Sequence, residues 1–319
     1  MTSQNPRVIL VGTGAVGGYF GARLAQAGAH ISAVCRSDFE TVTQKGITVK
    51  SVAGDAHFMP FETVRRIEDC TIEPEYIVIA TKVLPDAPVA SLLRDRVPES
   101  ASIVLLQNGI AIEEPVSAAY PRNEIISAIP FICAVRVEPG IVHHTDFGRI
   151  VIGTYPSGAS ERAERLASLF QKANVPCTIS ENIITARWIK CLWNGPFNPI
   201  SVLCRADTRQ MMESTEVVEL AVAIMREIQT IAEAEGHSIP KTAITTILND
   251  TAAMTPYKTS MLIDFERRRP LEVEAILGNA LAIAERRGIH CPHMKALYAL
   301  LTLLDRNNRK APALSHRAL

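Results

Sequence analysis

Apolar positions in the first 180 residues fall in short runs bounded by turn residues; beyond them they recur at helical spacing. RVILV at 7–11 reads as a strand, GTGAVGG as a turn, YFGARLAQAG as a helix stopped at Gly28, and HISAVC as the next strand. Further strands are expected at GITVK from 46, YIVIA from 76, SIVLLQ from 102 and EIISAI from 124, with helical stretches between several of them. Strands alternating with helices predict a parallel sheet covered on both faces. In FICAVRVEPGIVHH, Pro139-Gly140 separates two apolar runs and predicts a hairpin. RIVIGT, the amphipathic SERAERLASLFQKA and VPCTIS follow as strand, helix and strand. No strand pattern follows residue 181. ESTEVVELAVAIMREIQTIAEAEG and PLEVEAILGNALAIAERRG read as helices closing at Gly236 and Gly288, and RNNRKAPALSHRAL as a polar, mobile tail. The pattern divides the chain into domains at 1–180 and 181–319.

One helical stretch breaks the expected polarity. In WIKCLWNGPFNPI, Lys190, Asn194 and Asn198 are spaced four apart, so they line one helix face. Their neighbours are Trp188, Leu192, Trp193, Phe197 and Ile200, and few polar residues widen the stripe as a solvent face would. A narrow polar line in an apolar helix fits the wall of a cleft. Pro196 removes a helical hydrogen bond and predicts a kink between Asn194 and Asn198. In SMLIDFERRR, Ser260, Asp264 and Arg268 repeat the spacing, which reads as pairing along an exposed helix.

Composition narrows the classes. The 319 residues include 33 basic and 33 acidic side chains, and this balance, with no basic block, excludes an obvious nucleic-acid partner. Seven cysteines (35, 70, 133, 177, 191, 204 and 291) are scattered without a CxxC pair, which argues for a reducing, cytoplasmic setting and against a zinc site. His143-His144 reads as packing, and no metal is expected. No apolar run suits a signal peptide or a membrane span.

Gly12, Thr13, Gly14, Ala15, Val16 and Gly17 fit GxGxxG between a strand and a helix, the context that dinucleotide binding requires. The first glycine permits the turn, the second admits a pyrophosphate, and the third lets helix and strand pack closely. Where an acidic residue would meet a ribose 2′-hydroxyl, the chain has Cys35-Arg36-Ser37. A guanidinium there can pair with a 2′-phosphate, favouring NADP(H), although Asp38 is close by and Arg36 also reads as an ordinary surface arginine. Lys82 and Asn108 each follow a strand end, where doubly wound sheets bind ligands. The fold class is α/β: an N-terminal Rossmann-type doubly wound sheet followed by an all-α C-terminal domain.

These residues together resemble the ketopantoate reductases (2-dehydropantoate 2-reductases). The resemblance runs through VGTGAVGG, Arg36, the ATK ending at Lys82, QNG with Asn108, the WIK…NP ladder, SMLIDFERRRPLEVEAI and RRGIHCP, nearly the full length. It implies an NADPH-dependent oxidoreductase converting a 2-oxo acid to a 2-hydroxy acid, above all ketopantoate to pantoate in pantothenate and coenzyme A biosynthesis. It implies that Lys190 is the general acid, that Asn194, Asn198, Ser260 and Glu272 hold the substrate, that Lys82 and Asn108 lie near the nicotinamide, and that Arg36 meets the 2′-phosphate. The chain departs from the family pattern at Trp193, Gly195 and Pro196, on the substrate side. Two alternatives follow: a reductase of the same fold for another bulky 2-oxo acid, or a non-catalytic NADP(H) sensor. Apolar faces on the C-terminal helices would suit a homodimer.

Overall fold

The computed structural model describes residues 5–94 and 96–310. The chain divides into two compact units, Met1–Arg187 and Trp188–Leu319.

The first unit runs β1 (Arg7–Val11), α1 (Ala15–Gln26), β2 (His30–Val34), α2 (Phe39–Lys45), β3 (Ile47–Ser51), β4 (Ala56–Phe58), β5 (Glu62–Val64), β6 (Tyr76–Ile79), α3 (Val89–Leu93), β7 (Ser102–Leu106), α4 (Glu114–Ala119), β8 (Ile125–Glu138), β9 (Ile141–Thr154), α5 (Glu161–Lys172) and β10 (Cys177–Ile179). One sheet takes the order β4-β3-β9-β8-β7-β6-β1-β2-β5, with β10 alongside β9. From β5 to β8 the pairing is parallel throughout. The chain leaves β1 toward β2 on one side and returns as β6 on the other, which makes a topological switch point beside β1.

The sheet is mixed rather than wholly parallel, because β8–β9 and β3–β4 are antiparallel. The runs EIISAI and FICAVRVE form one strand, β8, through Pro130. Ile125 accepts from the Tyr155 amide while Glu124 accepts from that of Ile103, so even-numbered residues address β7. Pro130 is such a position, two residues past the last β7 partner at Ala128, and its missing N–H costs no ladder bond. The overrunning β8–β9 hairpin shifts register at Phe131/Ile132, Cys133/Ala134 and Arg136/Glu138. Such bulges bend and twist a ribbon. Here the bent ribbon, with β3 and β4, closes over α1. Tyr19, Phe20 and Leu24 of α1 are therefore buried with Val42, Ile47, Phe58, Val142, Ile150 and Phe170 in one core. A fully buried phenylalanine such as Phe20 contributes roughly 1.5–3 kcal/mol.

The second unit is helical, and no strand follows Ile179 among the described residues. Its elements are α6 (Ile183–Cys204, which carries the unit boundary within it), α7 (Thr208–Glu213), α8 (Thr215–Ala234), α9 (Ala243–Ala253), α10 (Ser260–Glu266), a π-helical turn (Glu274–Gly278) leading into α11 (Asn279–Arg286), and α12 (Pro292–Lys310). Helix starts follow their caps: the Asp207 side chain accepts from Gln210 N, Ser214 from Val217 N and Thr259 from Leu262 N. The helix α8 turns Ala221, Ile224, Met225, Ile228, Ile231 and Ala232 inward.

Three sequence expectations change. The tail is helical as far as Lys310, and residues 311–319 lie outside the described residues. The helix α10 stops at Glu266, and Arg268 lies beyond it in a left-handed conformation (φ 55°), so Ser260, Asp264 and Arg268 share no helix face. Asp264 is buried and lies 3.7 Å from Arg269. The helix α6 runs unbroken through Pro196 and Pro199. Its packing outweighs the lost hydrogen bonds: a Cβ at Gly195 would lie 2.4 Å from Ile228 Cδ1, so the helix sits directly on α8. No helix is long and apolar enough to cross a membrane among the described residues.

Candidate functional site

The glycine turn shows what each glycine does. Gly12, at φ 98°, donates its N–H to Val34 O at 3.0 Å. A Cβ on Gly17 would stand 2.0 Å from Gly12 O, so the third glycine is required by the fold itself. A Cβ on Gly14 would meet nothing within 4 Å. The protein does not need that glycine for its own packing, and the space beside it is open. The helix α1 opens at Ala15 with no side-chain cap and no acid in its first turn. Its N-terminal dipole and N–H groups therefore suit an anion. Thr13 is buried and hydrogen-bonds the Cys35 thiol, whose pKa burial raises. The residues from Gly12 to Gly17 fit a dinucleotide.

At the end of β2, Arg36 is exposed. Two arginines from distant sequence join it. Arg65 donates to Arg36 O at 3.4 Å and pairs with Glu40 at 2.6 Å, while Arg136, from the overrunning β8, pairs with Asp38 and donates to Ser37 Oγ at 3.1 Å. Local sequence carries no signal for either.

Lys82 and Asn108 sit past the ends of β6 and β7, both half-buried. Between them Gln107 Nε2 donates to Thr81 O at 2.7 Å, which joins the two loops. Beneath lies a buried group absent from the sequence reading. Arg187, in the first turns of α6, donates to Gln107 O at 2.8 Å, to Gly109 O at 3.3 Å and to Ser127 Oγ at 2.9 Å, and pairs with Glu113. The only available hint was its place three residues before Lys190.

In the second unit Lys190 is half-buried, with Nζ 5.6 Å from the Trp193 ring centroid, within cation–π range. Trp193 is fixed by its Nε1 donating to Thr251 Oγ1 at 3.1 Å and by Phe197 at 5.4 Å. Asn194 and Asn198 are each only 4% exposed, so the stripe is not a solvent face. Asn198 Oδ1 is buried with no hydrogen-bond partner among the described residues. Two contacts bring the other substrate candidates to this helix. Ser201 Oγ meets Asn198 O at 2.8 Å and Thr259 Oγ1 at 2.5 Å, and Thr259 caps the helix that begins at Ser260. Cys191 Sγ lies 3.7 Å from Ile276 O in the π-helical turn, which begins two residues after Glu272. Glu272 itself is 8% exposed. Inserted π turns recur at functional sites. Lys190, Asn194, Asn198, Ser260 and Glu272 thus lie on elements tied together within one unit, and the cofactor candidates lie on the other.

Strand order, switch point and glycine turn define the class: a Rossmann-type dinucleotide-binding unit carried in one chain with an all-helical unit. The family model for ketopantoate reductase PanE/ApbA matches residues 8–157, and that for ketopantoate reductase PanE/ApbA C terminal matches 182–305. A 2-dehydropantoate 2-reductase of Nostoc sp. is 36% identical across 94% of this chain and 95% of its own length. The crystal structure of 2-dehydropantoate 2-reductase from Methylococcus capsulatus is 42% identical, with a TM-score of 0.88 over 96% of this chain and 99% of that one. D-mandelate dehydrogenase, in a ternary structure with NADH and anilino(oxo)acetate, shares the fold at 17% identity, with a TM-score of 0.85 over 95% of this chain and 99% of its own. The chain belongs to the ketopantoate reductase family.

Proposed function

We propose that the protein reduces a 2-oxo acid to the 2-hydroxy acid with NADPH, and that the acid is ketopantoate, giving pantoate for pantothenate and coenzyme A synthesis. The observation that carries this reading is the ladder. A lysine and two buried amides stand at four-residue spacing on an unbroken helix, with one amide oxygen left for a partner outside the protein. An unpaired buried amide costs free energy, so a site that keeps one has a use for it.

In this reading residues 1–180 bind cofactor and 181–319 bind substrate. Bound NADPH would supply hydride to the carbonyl carbon. Lys190 holds the proton that the carbonyl oxygen takes as its charge develops. General acid catalysis of this kind is worth about 10²–10⁴-fold, or roughly 3–5 kcal/mol of barrier. Asn194 and Asn198 orient the substrate without adding charge that would compete with the ammonium. Ser260 offers a hydroxyl and Glu272 an acceptor to the substrate's polar ends. Lys82 and Asn108 serve the nicotinamide end, and Arg36 the 2′-phosphate. The seven free thiols suit a reducing cytoplasm.

The fold alone does not choose between NADPH and NADH, since the D-mandelate dehydrogenase is described with NADH. Arg36 favours NADPH. The test is nicotinamide absorbance with a panel of 2-oxo acids and each cofactor. Oxidation fastest with NADPH and ketopantoate is expected. A faster bulky 2-oxo acid would reassign the substrate, and NADPH binding without oxidation of any kind would favour a sensor.

A further inference from the structure

Asp38 occupies an unexpected position for a chain reading a 2′-phosphate. It follows Arg36 by two residues, at the start of α2, just past the place where an acid in a dinucleotide-binding unit selects the ribose 2′-hydroxyl and repels a phosphate. Its side chain is 1% exposed. The overrunning strand β8 delivers Arg136 onto it: Arg136 Nη1 donates to Asp38 Oδ1 and, at 3.1 Å, to Ser37 Oγ, which in turn donates to Asp38 Oδ1 at 2.6 Å. Arg36 and Ser37 remain exposed above this group. The link to the cofactor turn is direct, because Cys35 hydrogen-bonds Thr13.

We propose that Arg136 sets cofactor specificity by covering and neutralising Asp38, so that the Arg36–Ser37 edge presents net positive charge to a 2′-phosphate. The inference rests on the dinucleotide reading of the glycine turn. Arg136 is a positioning residue here, acting through Asp38. Arg65, the third guanidinium at this edge, is engaged with Glu40 and stacked 4.2 Å over Phe39, and does not reach Asp38 in the contacts described. Without Arg136 the carboxylate would either face the phosphate as a like charge or take up a ribose hydroxyl, and both outcomes favour NADH.

The experiment is the ratio of dissociation constants for NADPH and NADH, read from cofactor fluorescence, in wild type, Arg136→Gln, Arg136→Lys, Asp38→Asn and the Arg136→Gln/Asp38→Asn double variant. A ratio cancels the fraction of folded protein in each preparation, and needs no turnover. Arg136→Gln is expected to move the ratio toward NADH by roughly tenfold, the effect of one lost charge–charge contact in a partly desolvated setting. Arg136→Lys should restore most of the preference, and Asp38→Asn should move the ratio toward NADPH. The double variant should return close to wild type. Equal weakening of both cofactors in Arg136→Gln would overturn the proposal and leave the pair a structural one. Where Arg136→Gln does not fold, an unchanged ratio in Asp38→Asn overturns it equally. A wild type that binds NADH more tightly would refute NADPH as the donor yet leave the Arg136 shift readable; a wild type that binds neither would refute both.

Discussion

Arg187 and Glu113 form an ion pair whose side chains are 2% and 1% exposed. The pair is not isolated. Ser127 Oγ donates to Glu113 Oε1 at 2.7 Å, and the guanidinium also holds Gln107 O at 2.8 Å, in the loop that carries Asn108. The root of the ladder helix and the loop beyond β7 are therefore fastened by one buried cation. Breaking a buried pair leaves an uncompensated charge and costs about 3–5 kcal/mol. Arg187→Met and Glu113→Leu should each lower the melting temperature by roughly 10 °C at ~2–4 °C per kcal/mol. The double variant Arg187→Met/Glu113→Leu should lose less than the two singles combined, because apolar replacement of both partners strands no charge. Calorimetry decides it: additive losses would mean the two groups do not depend on each other.

The glycine turn makes a sharper test, because its second and third glycines serve different masters. A Cβ on Gly17 collides with Gly12 O at 2.0 Å, while one on Gly14 has empty space around it. Gly14 also has an extended backbone (φ −68°) that alanine adopts freely. Gly14→Ala should unfold like wild type within about 2 °C but bind NADPH more weakly, by roughly tenfold or more. Gly17→Ala should lose about 1–3 kcal/mol of stability from overpacking. Thermal melts with and without cofactor separate the two. An unfolding loss at Gly14, or full cofactor affinity there, would contradict the assignment of that space to the pyrophosphate.

What could be read from sequence was what is local. The GxGxxG turn, the first βαβ unit and the spacing of Lys190, Asn194 and Asn198 each depend on residues within a few turns of one another. Pairings fixed by strand order could not be read. Arg187 and Glu113 are 74 positions apart, and Arg136 and Asp38 are 98 apart. No periodicity announces that β8 overruns β7 and bends across α1. Two prolines fall inside continuous elements for one reason: the runs flanking Pro130 read as separate and Pro196 reads as a kink, but a missing N–H matters only where a partner awaits it and packing does not compensate. Arg268 shows the converse. Its spacing from Asp264 is helical, yet the helix has already ended.

Lys190 carries the chemical prediction. With a proton donor removed, Lys190→Ala should lower kcat by about 10²–10⁴-fold, while NADPH affinity stays near wild type because no cofactor contact is assigned to it. Turnover is followed by nicotinamide absorbance and binding by fluorescence. Retained turnover would take the acid role away from Lys190. A parallel fall in NADPH affinity would instead make the lysine part of the cofactor site.

Part of the acid sensitivity should reside in His144. The ring is buried in β9, its Nδ1 2.8 Å from Ser51 Oγ and its Nε2 2.8 Å from Asp146 O, with Tyr19 at 4.5 Å between centroids. Asp146 O can only accept, so the neutral ring carries its proton at Nε2 and receives the Ser51 hydroxyl at Nδ1. Desolvation is the first cause that lowers the His144 pKa, and the nearby Arg23 adds to it, against the hydrogen bond to Asp146. Because the folded value lies below the unfolded one, the unfolded chain takes up more protons at mildly acidic pH. The contribution of His144 is thus complete above the ordinary histidine value of 6.5 and is lost as pH falls below it. His144→Gln keeps a donor and an acceptor but cannot charge. Between about pH 7.5 and about pH 5.5 the melting temperature of wild type should fall more than that of the variant. His237, whose pKa burial also lowers, is present in both proteins, so the difference between the curves isolates the His144 ring, and parallel curves would show that it is not an acid-labile element.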